Sequence, residues 1–302
     1  MKLQQVVRRE TALIVPLIAA LAGAPERPYA QFTSGVNLVE VYATVSDRHG
    51  EPITGLTAAD FHVAEDGAPQ TITTFAAGEF PLAVGIGLDR SFSMGGKSDR
   101  LTVAKSAIRT FIGALRPEDE VMLMAIGSET SVVAPLSADH ARALDAVERI
   151  DAWGTTPLYD ATLDGIDAIQ PARGRRALVL LSDGVDRYSE VSAAELVDRA
   201  RQRDVLVYPI AISGSRPPVF AELATATGGR SFLAKEPREL TSILTGIARE
   251  LRFQYLLGYV PSRPFDSAQG RRAGVSSWHS IDVTVDRADA RVRARDGYFG
   301  LR

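Results

Sequence analysis

Cysteine is absent from all 302 residues. Disulfides, thiolate metal sites and cysteine nucleophiles are excluded together. Histidine is scarce: His49, His62, His140 and His279 are the only four, and none pairs with another at metal-ligating spacing. Each is expected as a surface or satisfied core residue. A dominant charge is missing too. The formal net charge is -3 and no long Lys/Arg block occurs, so the charge balance gives no reason to bind nucleic acid. Gly85-Ile86-Gly87 lacks the third glycine and the helix that a dinucleotide fingerprint needs. No general base lies by sequence near Ser91 or Ser93.

The apolar run Ala12 to Ala24 is shorter than the ~20 residues of a spanning helix. It follows Lys2, Arg8 and Arg9 and contains Pro16, which suits the core of a cleaved signal peptide. Ala22-Gly23-Ala24 and Ala30-Gln31 are both plausible cleavage sites. The expectation is a signal peptide over residues 1–30, export to the periplasm, cell envelope or medium, and no stable transmembrane segment after cleavage.

What remains is ordinary globular sequence, 45% apolar and 24% charged, long enough for two domains. The chain is organised around Phe80 to Lys97, FPLAVGIGLDRSFSMGGK. Leu82 to Leu88 suits a strand buried on both faces of a parallel sheet. It ends in Asp89, Ser91 and Ser93, one carboxylate and two hydroxyls at alternating positions before a helical pattern. Open α/β sheets place ligands there, outside the carboxyl ends of the strands. Ala177 to Ser182 is a second buried-strand pattern ending in an acid, Asp183. Trp153 to Ala161 (WGTTPLYDA) sets the hydroxyls of Thr155 and Thr156 just before a helix. Three such loops at one sheet edge can converge on a hard cation, which takes oxygen ligands. Taken singly, the same residues also describe strand-end turns with capping side chains.

The elements between alternate. Helical patterns over Ser98 to Leu115, Asp139 to Ile150, Leu158 to Ile169, Ser192 to Arg203, Phe220 to Thr227 and Pro237 to Arg252 follow strands at Glu120 to Ile126, Ser131 to Ala134, Ala177 to Leu181, Val205 to Ile212 and Ser231 to Leu233. This predicts a doubly wound α/β sheet. Before it, Val36 to Ala77 alternates with period two, with a hairpin signal at Asp66-Gly67 between Phe61 to Glu65 and Gln70 to Phe75. After it, Phe253 to Val260, Ser280 to Val285, Ala290 to Ala294 and the segment ending at Phe299 read as strands. Pro261 to Ser277 reads as a loop. The two flanks are expected to pair into one small β-sandwich with the α/β domain inserted between them. The boundaries are residues 31–79, 80–252 and 253–302. Arg291, Arg293 and Arg295 fall on one strand face, expected to be solvated.

Residues 80–252 resemble the von Willebrand factor A (VWA) domain with its metal-ion-dependent adhesion site. That pattern has D-x-S-x-S, a threonine in a G-T-x-L-Y-D-A-like loop, and an aspartate after a hydrophobic strand. Asp89, Ser91 and Ser93 match the first part, Thr156 (through the Pro-Leu-Tyr-Asp-Ala continuation) the second, and Asp183 the third. Met94-Gly95-Gly96-Lys97 replaces the extra acids that some members use for an adjacent cation, so none is expected. Trp153 stands where the family often has a small residue. Both flanks resemble VWA-related proteins predicted in Acidobacteria and similar bacteria, through Gly55-Leu56, Asp60-Phe61, Glu65-Asp66-Gly67, Tyr255 to Tyr259 and Arg295-Asp296-Gly297-Tyr298-Phe299.

The resemblance implies an exported bacterial binding or adhesion module without enzymatic activity. In it Mg²⁺ (or Mn²⁺ or Ca²⁺), held by Asp89, Ser91, Ser93, Thr156 and Asp183, accepts an exposed Asp or Glu of a partner protein. A Mg²⁺-dependent phosphohydrolase, or an envelope component whose metal staples three loops, is the alternative. Replacing Asp89 is expected to remove the metal and leave the core untouched.

Overall fold

The computed structural model describes residues 38–78, 80–95, 99–212, 214–262 and 277–300. The expected signal peptide, Lys97 and most of the loop Pro261 to Ser277 lie outside them. Among the described residues, no helix is long and apolar enough to cross a membrane.

Four strands come first: β1 (Val39–Ser46), β2 (Phe61–Glu65), β3 (Ala68–Gln70) and β4 (Ile72–Ala77). Asp66 and Gly67 both take positive φ, 49° and 76°, the pair of values a two-residue turn between twisted antiparallel strands requires. Gln70 to Phe75, expected as one strand, is divided. β3 pairs with β2, while β4 pairs with a strand from the other end of the chain. The chain changes sheets at Thr71, as chains do at sandwich corners.

The α/β unit follows: β5 (Leu82–Asp89), α1 (Arg100–Gly113), β6 (Glu120–Ile126), β7 (Ser131–Ser137), α2 (His140–Glu148), α3 (Leu158–Ile169), β8 (Arg175–Ser182), α4 (Ala193–Arg201), β9 (Leu206–Ile212), α5 (Pro218–Thr227), β10 (Phe232–Ala234) and α6 (Glu239–Arg252). Its sheet has the order β10-β9-β8-β5-β6-β7. All neighbours are parallel except β7, which runs antiparallel at the edge. Leu101, Ile108 and Phe111 of α1, with Ala146 of α2 and Leu244 of α6, bury one face of the sheet. Leu158 and Ile166 of α3, Leu196 of α4 and Phe220 of α5 bury the other. Every residue of β5 is buried, as a near-continuous apolar run predicts for a central parallel strand. Gly87 belongs there for packing: a Cβ would meet the Leu180 side chain at 2.8 Å.

The chain closes with β11 (Tyr255–Tyr259), β12 (Trp278–Val285), β13 (Arg291–Arg293) and β14 (Gly297–Phe299). Two four-stranded sheets result, β13-β1-β11-β4 and β14-β12-β2-β3, each joining strands from both ends of the chain. Val41 pairs with Leu257 and Val63 with Val283. Val41, Val45, Phe61, Tyr255, Leu257 and Ile281 share one core.

The arginine face of the last strands is not solvated as expected. Arg293 pairs with the buried Glu250 of α6, and Arg295 is half-buried beside Tyr298 and Asp204. Arg291 alone is exposed. The strand face turns toward the α/β unit, where acids await it.

Candidate metal centre

The order of the central sheet decides where a ligand can sit. From β5 the chain runs outward to β6 and β7 on one side, and to β8, β9 and β10 on the other. The crevice at such a reversal opens at the strands' carboxyl ends. Asp89 ends β5 and Ser182 ends its neighbour β8.

Asp89 is fully buried. Its Oδ1 accepts from the Ser91 backbone N–H at 2.8 Å and from the Thr156 hydroxyl at 3.2 Å. Its Oδ2 accepts from the Ser182 hydroxyl at 2.6 Å. The Ser91 and Ser93 hydroxyls lie 3.0 Å apart. Ser91 and Thr156 are buried, while Ser93 is exposed and Asp183 half-buried. Burial raises the Asp89 carboxyl above its ordinary range. Hydrogen bonds from Ser182 and Ser91 oppose this shift, and the negative charge of Asp183 adds to it. Among the described residues, no Arg or Lys side chain pairs with Asp89. A buried carboxylate without a cation is costly.

The two threonines part company. Thr156 reaches Asp89, whereas Thr155 faces Ser128, whose hydroxyl lies 3.3 Å from its own. Gly154 between the loops has φ 84°, and a Cβ there would meet the Ser128 hydroxyl at 2.6 Å. Only glycine fits so close an approach in that conformation. The backbone also ties the three loops together. Phe92 N–H donates to the Gly154 carbonyl (3.1 Å), Trp153 N–H to Arg90 (2.6 Å), and Arg187 N–H to Thr156 (2.7 Å).

Several residues of this arrangement carry no motif in the sequence. Ser182 reads there only as the end of an apolar strand, although a hydroxyl beside the strand-end acid is a usable signal. Asp160, Asp186 and Ser189 lock the third loop onto the start of α3. Tyr159 N–H donates to Asp186 Oδ1 (3.1 Å) and Ser189 Oγ (3.0 Å), and Asp160 accepts from Glu190 and Val191 N–H. The expectation that replacing Asp89 leaves the core untouched is corrected: its carboxylate satisfies two buried hydroxyls, so truncation orphans them.

Within the described residues, one group of acids and histidine has metal-like spacing, and it lies elsewhere: Glu65, Asp66 and His279 at the β2–β3 hairpin. His279 is satisfied there by side-chain partners, with its Nε2 2.8 Å from the Ser277 hydroxyl. Its Nδ1 lies 2.8 Å from Asp66. Glu65 accepts from the hydroxyls of Tyr259 (2.7 Å) and Tyr298 (2.9 Å). These bonds pin the hairpin to β11, β12 and β14, which is a structural role.

The side-chain donors at this edge are all hard oxygens, the carboxylates of Asp89 and Asp183 and the hydroxyls of Ser91, Ser93, Thr156 and Ser182, a set that suits Mg²⁺, Mn²⁺ or Ca²⁺. Solved structures share this fold. The family model of the von Willebrand factor type A domain matches residues 86–185, a segment that contains Asp89, Ser91, Ser93, Thr156, Ser182 and Asp183. The match covers the middle third of the chain. A von Willebrand factor type A structure from Catenulispora acidiphila is similar at TM-score 0.52 and 16% identity, covering 88% of this chain and 75% of that one. Proximal thread matrix protein 1 of the mussel byssus, with a zinc-occupied MIDAS motif, is similar at TM-score 0.51 and 12% identity, over 62% of this chain and 49% of that one. An uncharacterised protein of Borreliella burgdorferi is 28% identical over 136 residues, 42% of this chain. The match spans only 40% of that relative's own length.

Proposed function

We propose that the chain is an exported, divalent-metal-dependent protein-binding module of the adhesion type, acting by binding rather than catalysis. Ser91, Ser93 and Thr156 would offer neutral hydroxyls to the ion, with Asp89 and Asp183 supplying the negative charge. Mg²⁺ is the first choice and Mn²⁺ or Ca²⁺ the next. Bound there, the ion supplies an electrophilic centre for an exposed Asp or Glu of the partner. The observation that carries the proposal is Asp89: a fully buried carboxylate at the sheet's switch point, ringed by hydroxyls and without a pairing cation among the described residues.

The chain's own residues do three things for this chemistry. Ser182 and Thr156 hold the Asp89 carboxylate in one orientation. The Gly154 and Thr156 carbonyls hold the first and third loops against the second. Two carboxylates at most offset a divalent ion; with Asp89 or Asp183 bound through water rather than directly, the ion would stay electrophilic and favour a further acid.

The domain plan belongs to the same proposal: a signal peptide over residues 1–30 and a β-sandwich from residues 31–79 and 253–302, with the VWA domain (80–252) inserted in it. The strand pairing between the chain ends supports it, as does a likeness covering 88% of the chain. The basic residues Lys2, Arg8 and Arg9 before the short apolar run Ala12 to Ala24 support envelope or secreted localisation.

Calorimetry of the full chain with Mg²⁺, then with an acidic peptide in Mg²⁺ and in chelator, tests the site. Mg²⁺ binding followed by Mg²⁺-dependent peptide binding is expected. Binding that is unchanged in Thr156→Ala and Ser93→Ala would reduce the hydroxyls to turn caps. Metal-dependent phosphate release from an ester would instead identify a phosphohydrolase.

A further inference from the structure

Eight large apolar side chains are exposed among the described residues: Leu38, Phe92, Val132, Val133, Trp153, Val185, Tyr188 and Val260. Isolated exposed apolar residues need no explanation. The distribution does, because four of the eight stand on the three loops around Asp89. Phe92 lies between Ser91 and Ser93, Trp153 precedes Gly154, and Val185 and Tyr188 follow Asp183. Phe92 and Tyr188 are also the two most exposed of the set, at 68% and 79%, against 44% for Trp153 and 47% for Val185.

Their backbone placement brings them to one rim. Phe92 N–H donates to the Gly154 carbonyl, next to Trp153, and Arg187 N–H donates to the Thr156 carbonyl, next to Tyr188. Tyr188 further adopts φ 70°, a left-handed conformation that a bulky side chain rarely takes. Such a residue persists where its surroundings hold it, and such positions gather at binding and switch regions. Here the Tyr159, Asp160, Asp186 and Ser189 bonds hold the loop. Positive charge accompanies the rim. The Arg90 guanidinium lies 5.2 Å from the Trp153 ring centroid, and Arg100 donates to the Ser93 carbonyl.

Building on the proposed metal centre, we infer that Phe92, Trp153, Val185 and Tyr188 form an apolar collar that selects the partner. The occupant is a protein segment whose metal-seeking Asp or Glu is flanked by large apolar side chains. The acid meets the centre and the cations beside it, while its neighbours cover the collar. Aromatic side chains that become buried in an interface are among those whose truncation is most costly to binding.

The test uses the full chain and two fluorescent peptides of equal charge, each with one Asp, flanked by Gly and Ser in one and by Leu and Phe in the other. In Mg²⁺ the apolar-flanked peptide should bind about tenfold tighter or better. Phe92→Ser should abolish that preference while calorimetry shows unchanged Mg²⁺ affinity. Tyr188→Gly keeps the test decisive if the first variant misfolds, since glycine accepts positive φ without strain; it too should lose the preference and retain the ion. Mg²⁺-dependent binding of both peptides with equal affinity overturns the collar and leaves the metal site standing. Absent Mg²⁺ binding overturns the metal site, and the inference falls with it. Binding of phosphatidylglycerol vesicles in place of both peptides, lost in the same variants, would reassign the collar to a lipid surface and overturn the protein partner.

Discussion

Two buried carboxylates, Asp89 and Glu65, are satisfied by hydroxyls in different regions and do different work. Glu65 sits between two tyrosine hydroxyls whose rings extend the sandwich core, with His279 and Asp66 closing the side. Its donors are large, fixed and packed, so the group serves as a clasp between β2 and the closing strands. Asp89 is met by small donors, Ser182, Thr156 and a backbone N–H, at the open end of a parallel sheet. Beyond them lie exposed Ser93, half-buried Asp183 and a rim of exposed aromatic side chains. A hydroxyl bond alone therefore does not mark a ligand site. What distinguishes one is a desolvated charge that its own fold leaves uncompensated, with further oxygens facing an opening.

The sharpest way to break this contrast is to remove each acid and ask which property fails. Glu65→Ala leaves the buried Tyr259 and Tyr298 hydroxyls without their acceptor, and urea denaturation should show a loss of about 3 kcal/mol. Mg²⁺ affinity should not change. Asp89→Asn should do the reverse. It keeps an acceptor for the hydroxyls but removes the desolvated charge, so the metal-free melting midpoint should hold or rise. Mg²⁺ affinity should fall on the order of 100-fold by calorimetry.

Arg175 sharpens the comparison from the opposite end of the same sheet. It begins β8, is fully buried, and lies 3.6 Å from the Tyr42 ring centroid. Burial draws its guanidinium down to about 10. Its Nε, Nη1 and Nη2 are buried without a hydrogen-bond partner among the described residues. Arg175 pairs with Leu82 at the start of β5 whereas Asp89 ends that strand, so this cation is too far along the strands to compensate the acid. Arg175→Met preserves much of the volume without the buried charge and should be neutral or stabilising by about 1 kcal/mol in thermal unfolding. A large loss in that variant would show that the stack on Tyr42 outweighs the desolvation.

The smallest effect belongs to Asp66. Burial raises its carboxyl, but hydrogen bonds from His279 and Ser280 outweigh this and hold it below the ordinary value. A carboxyl lowered by folding contributes stability that is present above its unfolded value and lost as pH falls through the folded one. Melting midpoints across the acid range should therefore decline below about pH 4, slightly less so in Asp66→Asn.

Much of this protein was determined by the sequence itself. Seven small or branched apolar residues from Leu82 to Leu88 suffice for a central strand, because burial on both faces imposes no alternation. Asp66-Gly67 sufficed for the hairpin, because few residues accept two successive positive φ angles. Ser192 sufficed for the start of α4, where its hydroxyl accepts from Glu195 N–H. The D-x-S-x-S pattern, Thr156 and Asp183 were legible as separate loops, and their order suggested one site. Those rules act over a few residues. Only the tertiary structure decided that Thr156 reaches Asp89 while Thr155 turns to Ser128, that Ser182 is the closest hydroxyl to the acid, and that the strand after Gln70 leaves for the other sheet. It also set Arg293 against Glu250 and Glu65 between two tyrosines more than 190 residues further along the chain. Such pairings depend on strand order and on the cost of leaving a buried polar group unmatched. That cost is settled only when distant segments are packed together.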